Sequence, residues 1–510
     1  MAPMSLITVE KITRDSLPAE IQLMILEVLL QDGCSLASFA TVSREWQTII
    51  ERHNFARIKL TPSRLADFGS IVHRNRALVE YLWLCLELEE YGCDECGLLC
   101  LPWGLNTWDI PIIAAFQDLF STLSLWEPNG DLLLDIGVHS PSDSKHYFKY
   151  LTFKPDTPWD ECDQDQCVDQ AMLVEVDDRY HHWYAGTQES TPSELAIHRL
   201  FEDIMGEGEG AFNDDEQENH WWQKLPAIPA VTGVLLRQQN RRRWKPTSLA
   251  QMFARLPRLQ EVHYEPWREW NDTDQERTDK SYQSLFESLA SNNLRKLVIF
   301  ENFNQQYSRR FRPDKPIRKP TSAVSQMVAN ASLKLEHLSA SFMVDASYFF
   351  HAQSEPSWKW PNLTSLILTS RLLTPNESPT EINKMLQVAA AAAMNMPKLE
   401  MMDIWNGREG LATLFRYQSV KDRRPAVITW RGTWEFALQP PVIRAWEAVA
   451  LGHGGDGSTI VKELLDVDTI KSHGDAIHYL KLSGSVIRPV SLQQIRMEHK
   501  IRDGFYAQFF

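Results

Sequence analysis

A short apolar motif recurs along the chain and restricts its fold more than any other feature. The motif reads apolar, two variable residues, apolar, one variable residue, apolar, and helix-like segments lie between its copies. Because the strand and the helix of one such unit cannot bury their own apolar faces, the units are stable only when neighbours stack into a shared core. The clearest copies are Leu259-Val262-Tyr264, Leu294-Leu297-Ile299, Leu335-Leu338-Ala340, Leu363-Leu366-Leu368 and Leu399-Met402-Ile404.

Weaker copies extend the pattern towards the N-terminus. They are Leu78-Tyr81-Trp83, Leu133-Ile136-Val138, Phe148-Leu151-Phe153 and Val231-Val234-Leu236. The best helical segments are Thr247 to Arg255, Ser281 to Ala290, Thr321 to Ala331 and Glu381 to Met394. The copies are spaced less regularly and farther apart than the roughly 20–29 residues of ordinary leucine-rich repeats. We therefore predict an α/β fold in which residues 56–425 form an irregular leucine-rich-repeat-like strand–helix solenoid. A layered α/β domain with helices on one face fits the same alternation.

The composition fits a large chain whose main partner is not a nucleic acid. The 510 residues are 43% hydrophobic, and the formal net charge is −15. Binding to a phosphate backbone needs a basic face, which this charge argues against. The seven cysteines do not follow a disulfide framework, and the sequence has neither a signal peptide nor the ~18 consecutive apolar residues of a membrane span. The sequence thus predicts a cytoplasmic and/or nuclear protein without a membrane partner.

Charged stretches interrupt the repeated motif. Residues 155–225 are acidic and rich in turns, which predicts a long insertion. Residues 307–319 are rich in arginine and lysine and should form an exposed basic loop, and we expect the Arg241-Arg242-Arg243 run to be solvated as well. Residues 1–14 are predicted to be a flexible tail. Residues 426–510 depart from the motif and are predicted to form a C-terminal capping region.

A block of three short helices is predicted over residues 15–55. Pro18 suits a first helical turn, and Ser35 and Ser43 can each cap a further helix. One apolar stripe follows Pro18 at helical spacing, made of Ile21, Met24, Ile25, Val28 and Leu29. About forty residues in three helices bury too little surface for an independent domain. We therefore expect part of this apolar surface to contact a partner.

The same block resembles the F-box family. The resemblance is carried by Leu17-Pro18, Glu20-Ile21, Ile25-Leu26, Leu36 and Val42-Ser43-Arg44-Glu45-Trp46. It implies binding to a Skp1-type adaptor and, through it, to the cullin of a ubiquitin ligase. The residues that it assigns to adaptor contact and local core are Leu17, Pro18, Ile21, Ile25, Leu26, Leu36, Val42 and Trp46, and the sequence does not divide the two roles. A plain helical cap on a larger domain is the alternative.

The wider chain resembles fungal F-box proteins that have a divergent repeat body and a C-terminal region of unassigned role. This resemblance rests on Glu87-Leu88-Glu89-Glu90-Tyr91 and on the stretch from Arg431 onward. It implies that the chain is the subunit that holds a target protein and performs no bond chemistry itself. The alternatives are an interaction scaffold outside any ligase and an enzyme with a site in residues 430–510.

A surface for the target protein is predicted at the variable positions of the repeated strands. If the repeats stack, these positions share one face, and an exposed tryptophan among mixed charges is typical of a protein-recognition surface. The residues concerned are His263, Glu265, Lys296, Phe300, His337, Asp403 and Trp405. The alternative is that the C-terminal region or the long insertion folds over this face.

Two groups of residues have side chains that could support metal binding or catalysis. Cys93 and Cys96, with Cys100 nearby, could begin a zinc site, but the missing ligands would have to come from Cys162, Cys167 or the His181-His182 pair far along the chain. With no second Cys-x-x-Cys, a simple thiol cluster is the favoured interpretation, so no metal or cofactor is predicted. His473, Asp475 and His478 lie close in sequence but lack a placed serine or cysteine nucleophile, which favours turn and helix-cap roles.

Overall fold

The computed structural model describes residues 19–31, 36–41, 43–97, 109–156, 176–205, 212–269, 272–304, 307, 320–351, 358–420 and 424–507. Within these ranges the protein is a mixed α/β structure built on a large, mostly parallel sheet. The predicted tail, much of the acidic insertion (157–175 and 206–211) and residues 308–319 of the basic loop lie outside the described residues. No helix in the described part of the chain combines the length and the apolar character that crossing a bilayer would require.

Sixteen strands are described. They are β1 (Arg57–Leu60), β2 (Tyr81–Glu87), β3 (Leu132–His139), β4 (Trp183–Tyr184), β5 (Thr187–Gln188), β6 (Asp203–Ile204), β7 (Val231–Leu236), β8 (Arg243–Trp244), β9 (Glu261–Tyr264), β10 (Lys296–Phe300), β11 (His337–Asp345), β12 (Ser365–Thr369), β13 (Met401–Arg408), β14 (Leu411–Gln418), β15 (Ala426–Gly432) and β16 (Ser458–Leu464).

Twelve of these strands form one sheet in which spatial order follows chain order. The order is β1-β2-β3-β7-β9-β10-β11-β12-β13-β14-β15-β16. Neighbours are parallel except at β13–β14 and β14–β15, which are antiparallel. Strands β4 and β5 form a small hairpin, and β6 pairs with β8. A parallel strand placed beside its predecessor needs a crossover connection, so the strand-and-helix alternation of the sequence matches this order.

Fourteen α-helices are described. They are α1 (Ala19–Gln31), α2 (Arg44–Ala56), α3 (Pro62–Ile71), α4 (Asp109–Leu123), α5 (Glu194–Leu200), α6 (Asp215–Lys224), α7 (Pro246–Ala254), α8 (Asp272–Ser291), α9 (Ser322–Ala331), α10 (Ala346–His351), α11 (Pro379–Ala393), α12 (Pro440–Gly452), α13 (His473–Tyr479) and α14 (Pro489–Ala507).

The main core lies between one face of the sheet, here called the first face, and a layer of helices. Every position of the five clearest motif copies is buried in this core. Helices α7 to α12 each contribute buried side chains to it, such as Leu249, Leu285, Val328, Phe349 and Trp446. The repeated apolar triplets are therefore the side chains through which the sheet packs against the helices.

Two of the weaker motif copies were wrongly assigned, and in a third, Leu133-Ile136-Val138, Leu133 packs on the opposite face of the sheet from Ile136 and Val138. In β2 the core side chains are Leu82, Leu84 and Leu86, whereas Tyr81 and Trp83 lie on the opposite face. Because side chains alternate along a strand, a shift of one residue reverses the face, and β2 is buried on both sides, so hydrophobicity alone gives no register. The segment from Phe148 to Phe153 is not a strand, and its aromatic residues pack in a separate cluster.

The other face of the sheet, the second face, is covered by the end of the chain. Phe300, Ile367, Trp405 and Leu414 project from the strands into a core that also contains Ile477 of α13, Leu480 directly after α13, and Ile495 of α14. We call residues 470–501 the C-terminal cover. Of the two arrangements that the sequence allows, the structure has the one in which the C-terminal region folds over this face. Its apolar side chains are stabilised there because they are removed from water.

Candidate partner-binding site

The described residues between Ala19 and Ala56, directly before β1, form an N-terminal module with its own small core. Helix α1, the 3-10 helix Leu36–Thr41 and helix α2 pack around Leu26, Leu36, Trp46 and Ile50. The Ser43 hydroxyl accepts a hydrogen bond from the Trp46 backbone N–H at 3.2 Å and caps α2, as the sequence predicts. This cluster is separate from the sheet's cores, although α2 leads directly into β1.

Helix α1 carries a stripe of exposed apolar side chains. Ile21, Met24, Ile25 and Val28 have exposed fractions of 41%, 59%, 40% and 57%. Among the side chains that the structure describes, every other helix exposes at most one large hydrophobic residue. Single exposed hydrophobics are normal, but a contiguous stripe is typical of a surface that contacts another protein.

The structure divides the predicted adaptor residues into two groups. Ile21 and Ile25 point outward, whereas Leu26, Leu36 and Trp46 form the local core. Leu17, Pro18 and Val42 lie outside the described residues. Sequence reasoning placed Met24 and Val28 on the stripe but did not assign them to adaptor contact, although they are its most exposed members.

The aromatic residues predicted to bind a target protein lie beneath the C-terminal cover. Phe300, Asp403 and Trp405 have no exposed surface. The Phe342 ring packs edge-on against both Phe300 and Trp405, with centroid distances of 5.5 and 5.0 Å. Both Asp403 carboxylate oxygens accept hydrogen bonds at 2.7 Å from the Arg416 guanidinium. In this conformation these three residues serve the core and are not available to a partner.

Glu265 and His263 are also buried, but in polar surroundings. The Glu265 carboxylate accepts hydrogen bonds from the backbone N–H groups of Gln238 and Arg488 at 2.9 Å and from the Ser491 hydroxyl at 2.5 Å. It therefore fastens the start of α14 to the sheet. Burial raises the pKa of this carboxyl group above its ordinary value, and the hydrogen bonds oppose that shift.

Lys296 and His337 are the two predicted residues that keep part of their surface exposed. Glu261, Lys296 and His337 occupy matching positions at the start of β9, β10 and β11. The Glu261 carboxylate lies 2.6 Å from both the Lys296 ammonium and Nε2 of His263. Burial, and then the Lys296 charge, lower the pKa of His337 to about 4, so its imidazole is neutral at physiological pH.

The arginine run predicted to be solvated is instead paired with carboxylates inside the protein. Arg241 and Arg242 are buried, and the guanidinium groups of Arg241, Arg242 and Arg243 lie 2.9, 2.6 and 2.8 Å from Glu498, Asp143 and Glu269. Each partner is distant in sequence from the run, so the composition alone could not reveal the pairing. Arg241 and Arg242 are therefore not part of an exposed basic patch.

The histidines considered for catalysis have separate partners. Nε2 of His473 lies 2.9 Å from the Asn302 side-chain oxygen, and its ring stacks on Phe303 at 4.5 Å. Asp475 bonds to the Ser472 hydroxyl at 3.1 Å and to Arg496 at 3.2 Å, which makes it part of the N-terminal cap of α13. The role of Asp475 matches the cap interpretation of the sequence, whereas His473 is a buried residue packed against Phe303.

Two groups in the described chain have donor atoms close enough for a shared cation. Cys93, His146 and His181 have ligand atoms within 4.8 Å of one another, as do Cys85, Glu87 and His139. In the second group the Lys59 ammonium lies 3.5 Å from Glu87, and that positive charge opposes a cation. Sequence reasoning named Cys93 and His181 but missed His146, which no spacing rule connects to them. Cys100, Cys162 and Cys167 lie outside the described residues.

Comparison with known proteins yields one family. A model described as a family of unknown function, DUF6546, matches residues 288–488, which is less than half of the chain. The matched region runs from the end of α8 through β16 and into the C-terminal cover. No curated protein and no solved structure matches the chain significantly.

Proposed function

We propose that this protein is the target-recognition subunit of a Skp1–cullin–F-box ubiquitin ligase, and that it docks on a Skp1-type adaptor through the exposed stripe of α1. The observation that carries the proposal is the combination of a self-contained N-terminal core with four outward apolar side chains on one helix. A plain helical cap would turn such a stripe towards its own domain. The family resemblance of the block supplies the identity of the partner.

The strand–helix body of the chain offers a surface on which a target protein could bind, which supports the proposal. Sequential parallel strands with helices on the first face are the arrangement of a divergent leucine-rich-repeat-like solenoid, which we infer for residues 56–425. Because the C-terminal cover occupies the second face, we place target contact at its partly exposed edge, near Lys296 and His337. The subunit performs no catalysis itself. It acts by raising the local concentration of a target protein beside the ubiquitin-conjugating enzyme that carries the activated ubiquitin.

The test is co-purification of the full chain with a Skp1-type adaptor and a cullin. The test variant is Met24→Glu/Val28→Glu, which places two charges on the stripe. Full burial of such a side chain is worth about 1.5–3 kcal/mol, and roughly half of each is still exposed, so two residues contribute about 2 kcal/mol at the interface. Adding two unpaired carboxylates raises the loss further, so we expect adaptor affinity to fall at least 30-fold.

The matched control is Met394→Glu/Leu451→Glu. These two apolar residues are exposed to a similar degree, 53% and 60%. Met394 follows the last residue of α11 and Leu451 lies on α12, and both are far from the N-terminal module in sequence. The control should bind the adaptor like the parent protein. Adaptor binding that survives the α1 charges, or no binding by the parent, refutes the docking proposal. Adaptor without cullin would favour the scaffold alternative.

A further inference from the structure

Four potential metal ligands meet beside the sheet from three separate segments. Cys93 and Cys96 lie in the turn after β2, His146 lies after β3, and His181 ends a short 3-10 helix, Arg179–His181, in the described part of the insertion. Cys96, His146 and His181 are buried and Cys93 is exposed. This composition, two cysteines separated by two residues plus two histidines, is a common set for structural zinc.

The separations between three of the four ligand atoms fit a single tetrahedral ion. Sγ of Cys93 lies 3.5 Å from Nδ1 of His146, and Sγ of Cys96 lies 3.4 Å from Nε2 of His181. With Zn–S near 2.3 Å and Zn–N near 2.0–2.1 Å, the edge of a tetrahedron between sulfur and nitrogen is about 3.6 Å. Cys93, His146 and His181 each offer one ligand atom, and these three atoms all lie within 4.8 Å of one another, so one ion can reach all three. Cys96 lies outside that group; its Sγ is 3.4 Å from Nε2 of His181, so it becomes the fourth ligand by a movement of its side chain towards the ion.

Neighbouring groups orient both imidazoles for this role. The Nε2–H group of His146 points at the Tyr91 carbonyl oxygen, 3.2 Å away, which leaves Nδ1 facing Cys93. Nδ1 of His181 lies 2.7 Å from the Asp178 carboxylate, which leaves Nε2 facing Cys96. Metal-bound histidines usually donate their other N–H group to a carbonyl or carboxylate in this way. The two nitrogens without such a partner are therefore the two that face sulfur.

We propose that the protein binds one Zn²⁺ ion through Cys93, Cys96, His146 and His181. Thiolate and imidazole ligands in a tetrahedral arrangement select zinc among the divalent metals available in a cell. Four protein ligands close the coordination sphere, so the site is structural and does not activate water.

The zinc ion ties the insertion to the sheet. His146 and His181 both belong to the connection between β3 and β7, His146 near its start and His181 near its middle, whereas Cys93 and Cys96 follow β2. A crosslink of this kind removes conformational freedom from the unfolded chain, and its effect grows with the length of the loops that it closes. Loss of the ion should release residues 176–205 from the body while leaving the sheet intact.

The first experiment measures metal on the full chain, purified without chelator. Elemental analysis should find one zinc ion per chain. Replacement by Co²⁺ should give the visible bands of a tetrahedral ion together with thiolate-to-cobalt charge transfer. A parent protein with no zinc and no such cobalt spectrum overturns the proposal. So does a disulfide between Cys93 and Cys96 in protein purified under reducing conditions.

Substitutions of single residues test whether these side chains are the zinc ligands. His181→Asn should lose the zinc, whereas the matched control His182→Asn, at the adjacent histidine, should keep it; asparagine tolerates the positive φ of 63° at position 182. Cys93→Ser tests a ligand whose side chain is exposed, so it removes little packing, and it should reduce the cobalt charge-transfer band to about half, because one of two thiolates is gone. Zinc retained at full stoichiometry in both ligand variants refutes the assignment.

A chelator provides a readout that does not depend on the variants folding well. Added chelator should lower the melting temperature of the parent protein and of His182→Asn. It should also increase proteolysis within residues 176–205 in both. A melting temperature and cleavage pattern unchanged by chelator would contradict a structural role for the ion.

Discussion

Replacing Trp405 tests whether the second face of the sheet is covered, because an open face and a covered face predict opposite effects on the free energy of unfolding. On an open face this tryptophan would be an exposed recognition residue, and its removal would change the free energy of unfolding by about 0.5 kcal/mol or less. In the structure its side chain has no exposed surface and lies in the core shared by β13 and the C-terminal cover. We therefore expect Trp405→Ala to be strongly destabilising.

The magnitude follows from the packing of the side chain. Its ring is 5.0 Å from the Phe342 ring, and a Cβ atom built on Gly407 would lie only 3.1 Å from Cζ3, so the indole is closely surrounded. Replacing a buried tryptophan by alanine typically costs 3–5 kcal/mol, because packing is lost and a cavity remains. Trp405→Phe should cost much less, because it keeps a ring and removes an indole N–H that has no hydrogen-bond partner among the described residues.

The assay is urea denaturation of the full chain followed by far-UV circular dichroism, with limited proteolysis of residues 470–501 as a second readout. Leu125→Ala is the control, because Leu125 is 71% exposed and should tolerate the change. We expect the order of stability to be Leu125→Ala, then Trp405→Phe, then Trp405→Ala. A Trp405→Ala protein within about 0.5 kcal/mol of the Leu125→Ala control would show that the cover does not pack on this face.

Two further predictions concern buried charge. Arg241→Met should destabilise the protein by about 3–5 kcal/mol, because it removes the guanidinium that lies 2.9 Å from the buried Glu498 carboxylate. Arg241→Met/Glu498→Gln should recover much of that loss in a double-mutant cycle, and strictly additive effects would contradict the pairing. Burial lowers the pKa of His139 to about 4, below its ordinary 6.5, so the stability that its neutral form provides is complete above pH 6.5 and is lost as the pH falls towards 4, by on the order of 3 kcal/mol. His139→Gln should weaken the dependence of the unfolding midpoint on pH between 6.5 and 4, leaving the part that His337 contributes, and an unchanged dependence would exclude His139 as a contributor.

Most of the central strands and helices could be predicted from the local pattern of apolar residues. The five clearest triplets occupy strands or their entries, and the predicted helical segments correspond to α7, α8, α9 and α11. Periodicity identifies these elements because a residue's position within its own strand or helix decides whether it faces the core. Where a strand is buried on both faces, as β2 is, that signal disappears and the register was wrong.

The exposed stripe on α1 could also be predicted, because the spacing of Ile21, Met24, Ile25 and Val28 places them on one helix face whatever the rest of the chain does. What the sequence left open was which apolar residues of the block face inward. Packing of Leu26 against Leu36 and Trp46 decides that question, since it requires the relative placement of three helices.

Three features could be learned only from the tertiary structure. They are the coverage of the second face, the burial of the arginine run and the proximity of His146 to Cys93. Arg241 and Glu498 are 257 residues apart, and Cys93 and His146 are 53 apart. Sequence determined the elements of this protein because local periodicity is set by backbone geometry. The fold alone determined its polar clusters and its covered face, because the energy of a buried charge or ligand depends on partners that the chain brings together only after long-range closure.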